Sequence, residues 1–385
     1  MLNKSSIQLL SVAYFFAAPG LSFSLLTSRM PALSQRLGID PAIVGLILFC
    51  LGCSSLCAMA LTPKLTAKYS SKRLITIAAL LCPLFVILCG LSPNIYVFFV
   101  CVAALGLSLG FVDVTMNVQG VLLEKAENKS RLSFLHAVFA LAAAAASFAS
   151  GLLTSLGADP YLNFLILGVP YACFIPLASK RLFDDKESDE EKTERTKSVK
   201  SVPLFIIFCG VFCLLASETE GVVVDWGSLY MASLDGVSQA IAALTFGFFS
   251  LATAGCRLFC DRLRDNYGDK TIAAAGGVLS SLGGLLVVLT PSFPLLTLIG
   301  FALLGAGLSP IVPILFSAGG KVPGVSPAIA SSTIALFNYG GMLFVPPLFG
   351  YIVQHTSLAM PFICSIFSCL VIAVGCGVLL NKRPH

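Results

Sequence analysis

"IYVFFVCVAALGLSLGFVDVTMNVQGVLL", residues 95–123, holds one charged side chain, Asp113. As a helix rising 1.5 Å per residue, a stretch of this length covers the roughly 30 Å of a bilayer's hydrocarbon core. It therefore reads as a membrane span. A lone carboxylate in hydrocarbon is costly, and such residues usually face the interior of a helix bundle and mark a functional site.

The rest of the chain repeats this pattern. The 385 residues are 57% hydrophobic and 11% charged, with a mean hydropathy of +0.93. A soluble globular domain does not need that balance. Twelve apolar runs are long enough to cross a membrane: 7–28, 40–62, 74–91, 95–122, 132–156, 161–179, 202–224, 237–256, 271–290, 294–316, 328–352 and 358–380. The predicted fold class is an all-α integral membrane protein of twelve transmembrane helices in two six-helix halves. The first run lacks a small-residue cleavage site after it and reads as a span, not a removable leader.

Charge placement gives the expected orientation. With both termini in the cytoplasm and alternating spans, all but two of the 24 Lys and Arg residues fall on the inner side; only Arg29 and Arg36 fall outside. This follows the positive-inside rule. The net charge of +5 then reflects topology, with lipid head groups and not nucleic acid as the partner. All fourteen cysteines lie in or at the ends of apolar runs, which does not suggest a disulfide framework. Cys50, Cys53 and Cys57 share a helical face without clustered His or Met, and read as small packing residues.

The one strongly polar stretch, "KRLFDDKESDEEKTERTKSVK" (180–200), separates the sixth span from the seventh. It reads as a solvated cytoplasmic linker between an N-terminal half (1–179) and a C-terminal half (201–385). The halves echo one another. The loop from Cys57, "CAMALTPKLTAKYSSK", aligns with "GCRLFCDRLRDNYGDK" from Gly255, pairing Lys64 with Arg262 and Lys72 with Lys270. In the fourth and tenth spans Gly106 pairs with Gly305 and Gly120 with Gly319. Internal symmetry of this kind is the usual build of secondary transporters, with the substrate site expected between the repeats near the midplane.

The polar residues within spans are few. In the fourth span Gly106, Gly110, Asp113, Asn117 and Gly120 fall within a sector of about 80° at 100° per residue. Glycines admit a close neighbour, whether helix or ligand. The tenth span has Val312 and Phe316 where the fourth has Asp113 and Asn117, and this asymmetry favours a functional role for the acid. The alternative is a protonated Asp113 bonded to a neighbouring helix. His136, in the fifth span at about the depth of Asn117, has two readings: a proton relay from Asp113, and an interfacial histidine capped by a loop carbonyl. The seventh span carries Glu218, Glu220 and Asp225. Its last part, "SETEGVVVDWGSLY", reads as a helix loosened at Gly221, with Asp225 solvated and Trp226 and Tyr230 in an interfacial aromatic belt. Either Glu218 or Glu220 is positioned to line a cavity. Asn338 and Tyr339 fall near the middle of the eleventh span, with two readings: recognition of a polar solute, and helix–helix hydrogen bonding. Pro19, Pro310, Pro313, Pro346 and Pro347 lie within spans as expected kinks or breaks.

On these residues the chain resembles the major facilitator superfamily. That family's signature between the second and third helices of a half is matched by Gly255, Asp261, Arg262, Gly268 and Lys270. The resemblance implies that this loop is a cytoplasmic latch. The first half departs from the signature, with Pro63-Lys64 in place of Asp-Arg. "DVTMN" (113–117) is similar to the fucose permease branch, where a fourth-helix acid precedes an asparagine by four residues and is implicated in proton coupling. "EGVVVDW" (220–226) and "NYGG" (338–341) resemble bacterial inner-membrane permeases related to that branch, and this likeness favours Glu220 over Glu218. The branch's first-helix acid has no counterpart in residues 7–28.

No Walker loop, metal-ligand cluster or Ser-His-Asp set appears, so neither an enzyme nor a cofactor is expected. The expected function is proton-coupled transport of a small polar solute by alternating access, by a monomer in the bacterial inner membrane. Proton coupling is assigned to Asp113, His136, Glu220 and Glu218. Solute binding is assigned to Asn117, Asn338, Tyr339 and Gly110. The competing readings are a proton-driven exporter of amphiphilic compounds and a non-transporting receptor with the same fold.

Overall fold

The computed structural model describes residues 4–127, 131–184, 203–320, 322 and 327–380. Among them there are helices and no strands. The first unit contains α1 (Lys4–Leu37), α2 (Pro41–Tyr69), α3 (Ser71–Leu91), α4 (Ile95–Glu127), α5 (Leu132–Ser155) and α6 (Pro160–Ser179). The second contains α7 (Leu204–Ala232), α8 (Gln239–Ala243), α9 (Thr245–Tyr267), α10 (Asp269–Leu289), α11 (Pro294–Leu308), α12 (Ile311–Gly319), α13 (Pro327–His355) and α14 (Met360–Leu379). The pairs α8–α9 and α11–α12 each make one crossing, so the helices amount to twelve candidate spans. Contacts divide the chain into compact units Met1–Arg195 and Thr196–His385. Most of the predicted linker, from residue 185, lies outside the described residues.

Local sequence explains several helix ends. Asp40-Pro41 and Asp159-Pro160 each put an Asp at the N-cap and a Pro at the first helical position, where its missing N–H costs nothing. At α6 the Asp159 Oδ1 accepts from the Leu162 N–H at 2.7 Å. Pro310 falls between α11 and α12, which breaks that span as expected. Pro19, Pro346 and Pro347 stay inside continuous helices.

The first span corrects the sequence reading. It was expected to end at residue 28, leaving Arg29 and Arg36 in a loop, but α1 continues to Leu37 and contains both. Arg29 is 3% exposed; its guanidinium donates to the Thr154 hydroxyl and, at 3.2 Å, to the Ala158 carbonyl. Arg36 donates to the carbonyls of Gly90 (2.5 Å), Ser92 (3.3 Å) and Cys89 (3.4 Å). Arg29 thus ties down the end of α5 and the loop after it, and Arg36 caps the C-terminal end of α3. There the last carbonyls lack helical partners and the helix dipole is negative. The two exceptions in the charge pattern find acceptors inside the first unit, although the buried Nε of Arg29 has none among the described residues.

The two units are built alike. In the first, α1 packs on α5, α2 on α4, and α3 on α4 and α6; in the second, α7 packs on α13, α9 on α11, and α10 on α11 and α14. The correspondence reaches single atoms. A Cβ added to Gly106 would run into the Leu51 carbonyl oxygen, and one added to Gly305 into the carbonyl oxygen of Phe249. Gly110 meets Ser55 in the same way, and its counterpart Ser309 instead donates its hydroxyl to the Thr253 carbonyl at 3.2 Å.

The turn joining the second and third spans of each unit is also shared. Ser70 (φ 71°, ψ 153°) and Gly268 (φ 81°, ψ 155°) each end one helix and begin the next. This is a conformation glycine adopts freely and other residues adopt at a cost of about 1–3 kcal/mol. Ser70→Gly is therefore expected to raise the thermal midpoint of the purified protein, and Gly268→Ala to lower it. Equal midpoints for all three proteins would contradict the strain argument.

Candidate functional site

The fourth-span stripe divides between several neighbours. Gly106 and Gly110 face the backbone of α2, so they serve helix packing. The ligand-facing role expected for Gly110 finds Ser55 where the solute would be. Gly120 meets the side chains of Leu132, Leu135 and Phe16. Of the stripe, Asp113 and Asn117 remain as half-buried polar side chains.

Asn117 lies at the centre of a short network. Its Nδ2 donates to the backbone carbonyl of Asp113 at 2.8 Å, and its Oδ1 lies 3.2 Å from Nε2 of His136 on α5. A carbonyl oxygen accepts and cannot donate, so Nδ2 is the group on the Asp113 side. Oδ1 can only accept, so His136 must carry its proton on Nε2. The Phe16 ring stands edge-on to the imidazole, 5.3 Å between centroids. Sequence spacing placed His136 at the depth of Asn117, and the two do meet. The partner is the amide and not the Asp113 carboxylate, which has no hydrogen-bond partner among the described residues.

The inner wall of α4 carries a residue that sequence reasoning missed. Gln119 is fully buried, and its amide pairs with both backbone groups of Phe183: Nε2 to the carbonyl at 2.8 Å and the Phe183 N–H to Oε1 at 2.9 Å. Nε2 also donates to the Ser71 hydroxyl at 2.8 Å. An uncharged side chain two residues after Asn117 could have prompted the search. Glu124, near the end of α4, accepts from the N–H groups of Arg131 (2.5 Å) and Leu132 (2.9 Å), capping α5 one turn before His136.

In the second unit α7 is one continuous helix through Gly221, contrary to the expected loosening. Asp225, expected to be solvated, is 7% exposed. Trp226 is fully buried, and Tyr230 is buried with its hydroxyl on the Val287 carbonyl at 3.0 Å, so neither joins an interfacial belt. The uninterrupted helix carries this segment into the packed interior of the unit, and an aromatic pair in sequence cannot reveal which side it faces. Glu218 is 8% exposed and points to α14, where the Ser365 hydroxyl lies 3.4 Å from Oε1. Glu220, two residues on, is half-buried. Asn338 Oδ1 accepts from the Ser217 hydroxyl at 2.5 Å, joining α13 to α7, and Tyr339 is exposed.

Of the predicted latch, Gly268 forms the turn described above, Arg262 is exposed, and a Cβ at Gly255 would meet nothing within 4 Å. The side chain of Asp261 lies outside the described residues. An ion pair joins Arg264 Nε to Asp269 Oδ1 across this turn at 2.9 Å, a pair not singled out from sequence.

Twelve apolar crossings in two units of repeated architecture, with acids and amides held inside, define an integral membrane transporter rather than an enzyme. The sequence profile of the Major Facilitator Superfamily matches residues 10–338. The chain belongs to that family. It is 28% identical over 370 residues to an uncharacterised transporter of this type from Yersinia pestis, covering 94% of this chain and 93% of the relative. It is 26% identical over 366 residues to membrane protein MosC of Rhizobium meliloti, covering 95% and 87%. Among solved structures, a mutant form of the nucleoside transporter NupG superposes with a TM-score of 0.77 at 15% identity, over 98% of this chain and 100% of that one. A D-xylose–proton symporter gives 0.75 at 12% identity, over 97% of each. At these identities the structural likeness is one of fold.

The Asn117 network is directly testable. The chain has three histidines, so nitrogen NMR of histidine-labelled protein is tractable. His136 is expected as the Nε2–H tautomer, giving way to a mixture in Asn117→Ala. An Nδ1–H tautomer in the unsubstituted protein would refute the assignment.

Proposed function

We propose that this transporter couples proton movement to the passage of a small polar solute, with Asp113 as the group that loads and releases the proton. The observation that carries the proposal is the Asp113 carboxylate. It is half-buried in a membrane span, and no cation or hydrogen-bond donor among the described residues holds it ionised. Desolvation makes the charge of such a group costly, so gain and loss of a proton changes its energy strongly with its surroundings. Coupling follows if protonation alters the relative stability of inward-open and outward-open states.

Asn117 holds His136 by a single hydrogen bond. An amide does not pass protons, so we assign Asn117 to positioning and solute recognition and keep His136 as a proton-coupling group. Glu220 and Glu218 are the acids of the second unit in this scheme, and Asn338 and Tyr339 supply an amide and a phenol for solute hydroxyls. Gly255, Asp261, Arg262 and Gly268 are proposed as the cytoplasmic latch, with the chain acting as a monomer in a bacterial inner membrane and both termini in the cytoplasm. The distribution of Lys and Arg supports that orientation. Nucleosides and pentoses are the solutes to screen first, because proteins of like fold are named for moving them. A hit should raise the thermal midpoint with ligand excess.

The decisive variant is Asp113→Asn. With a solute from that screen, it is expected to abolish accumulation driven by a pH gradient while retaining solute exchange. Accumulation at the unsubstituted rate would remove Asp113 from the coupling role.

A further inference from the structure

We propose that Glu218, with the hydroxyls of Thr219, Ser365 and Ser368, forms a binding site for a monovalent hard cation of sodium's size inside the second unit. The proposal shares with the preceding reading the premise of a membrane transporter, and it gives Glu218, an acid of that scheme, a metal cation in place of a proton. It stands or falls independently of Asp113.

Charge raises the question. Glu218 is 8% exposed within a membrane-spanning helix, and among the described residues no Lys, Arg or His pairs with it. A buried carboxylate requires compensation, by a proton or by a bound cation. The titratable groups facing it are thiols of α14, Cys364 and Cys369, which supply no positive charge.

The ligand set fits a hard ion. Oε2 lies 3.3 Å from the Thr219 hydroxyl and Oε1 lies 3.4 Å from that of Ser365. Ser368, one turn further along α14, presents its hydroxyl to the same carboxylate. Oxygen donors of this kind suit alkali and alkaline-earth cations. A single carboxylate matches the charge of a monovalent ion.

The spacing points the same way. A hydroxyl donating to a carboxylate normally closes to about 2.5–2.7 Å. Both separations here are wider. A cation with oxygen ligands at about 2.4 Å in octahedral arrangement holds neighbouring ligands about 3.4 Å apart. The hydrogens agree as well. Thr219 has one hydroxyl proton, and its Oγ1 is closer to the Leu215 carbonyl, at 3.0 Å, than to Glu218. With the proton donated to Leu215, its lone pairs face the carboxylate, an arrangement that an intervening cation turns from repulsion into coordination. Asp113 has no comparable hydroxyl shell among the described residues, so the two acids differ in the ion they suit.

The test is binding of radioactive sodium to the full-length purified protein, with choline replacing sodium at constant ionic strength. One saturable site per chain is expected, with binding weakened by acid as protons compete. Glu218→Gln should abolish it. Ser365→Ala, which keeps the carboxylate, should weaken it roughly tenfold. Asp113→Asn should leave it intact, so loss of proton-driven accumulation in that variant and loss of sodium binding in Glu218→Gln report on different claims. Trp226, the one tryptophan, lies two turns from Glu218 on α7 and gives a second readout by fluorescence, which also shows whether each variant remains folded. Absence of saturable sodium binding, equal binding in folded Glu218→Gln, or a response to acid alone would overturn the proposal.

Discussion

The cost of removing charge from water governs this molecule. An ionised side chain in hydrocarbon is unfavourable by several kcal/mol unless it is paired, hydrogen-bonded or neutralised. The charged groups inside the spans meet that cost in different ways. Arg29 is held by a hydroxyl of α5 and a loop carbonyl beyond it, and Arg36 is spread over terminal carbonyls of α3 that need donors in any case. Glu218 is ringed by hydroxyls. Asp113 and the buried Asp225 have neither among the described residues, and the functional proposal begins from that difference.

Backbone approach is the second constraint. In both units the second and fourth crossings come so close that a Cβ at Gly106 or Gly305 would strike a main-chain carbonyl. This contact, together with the paired turns at Ser70 and Gly268, documents a repeat that only scattered sequence matches suggested. The repeat also sets off what is not shared. Asp113 and Asn117 have apolar counterparts in the second unit, and Glu218 has an acid-free counterpart helix in the first. Chemistry has been placed differently on two copies of one scaffold.

Hydropathy and charge placement were enough to read the span number, because hydrocarbon thickness fixes helix length and translocation sorts Lys and Arg. They also picked out Asp113, Asn117 and His136, since a polar residue in an apolar run stands out without coordinates. Facing was harder. Gly110 read as part of the solute-binding wall, and the position of Ser55 decides for packing. Trp226 and Tyr230 read as interfacial because aromatic residues near a span's end usually are, but Trp226 is fully buried and the partners of Tyr230, Val287 and Phe362, are distant in sequence. Arg29 looked like a loop residue for the same reason: its acceptors lie on α5 and in the loop after it, more than a hundred residues away. Gln119 escaped notice because it lies outside the helical sector that Gly106, Gly110, Asp113, Asn117 and Gly120 share.

The central claim is that the Asp113 carboxylate gains and loses a proton within the membrane. Infrared difference spectroscopy of the protein in lipid, alkaline minus acid, observes this without knowledge of the solute. The account predicts a protonated-carboxyl carbonyl band that is lost on alkalinisation and is missing from the Asp113→Asn variant. A difference spectrum unchanged by that substitution would contradict it.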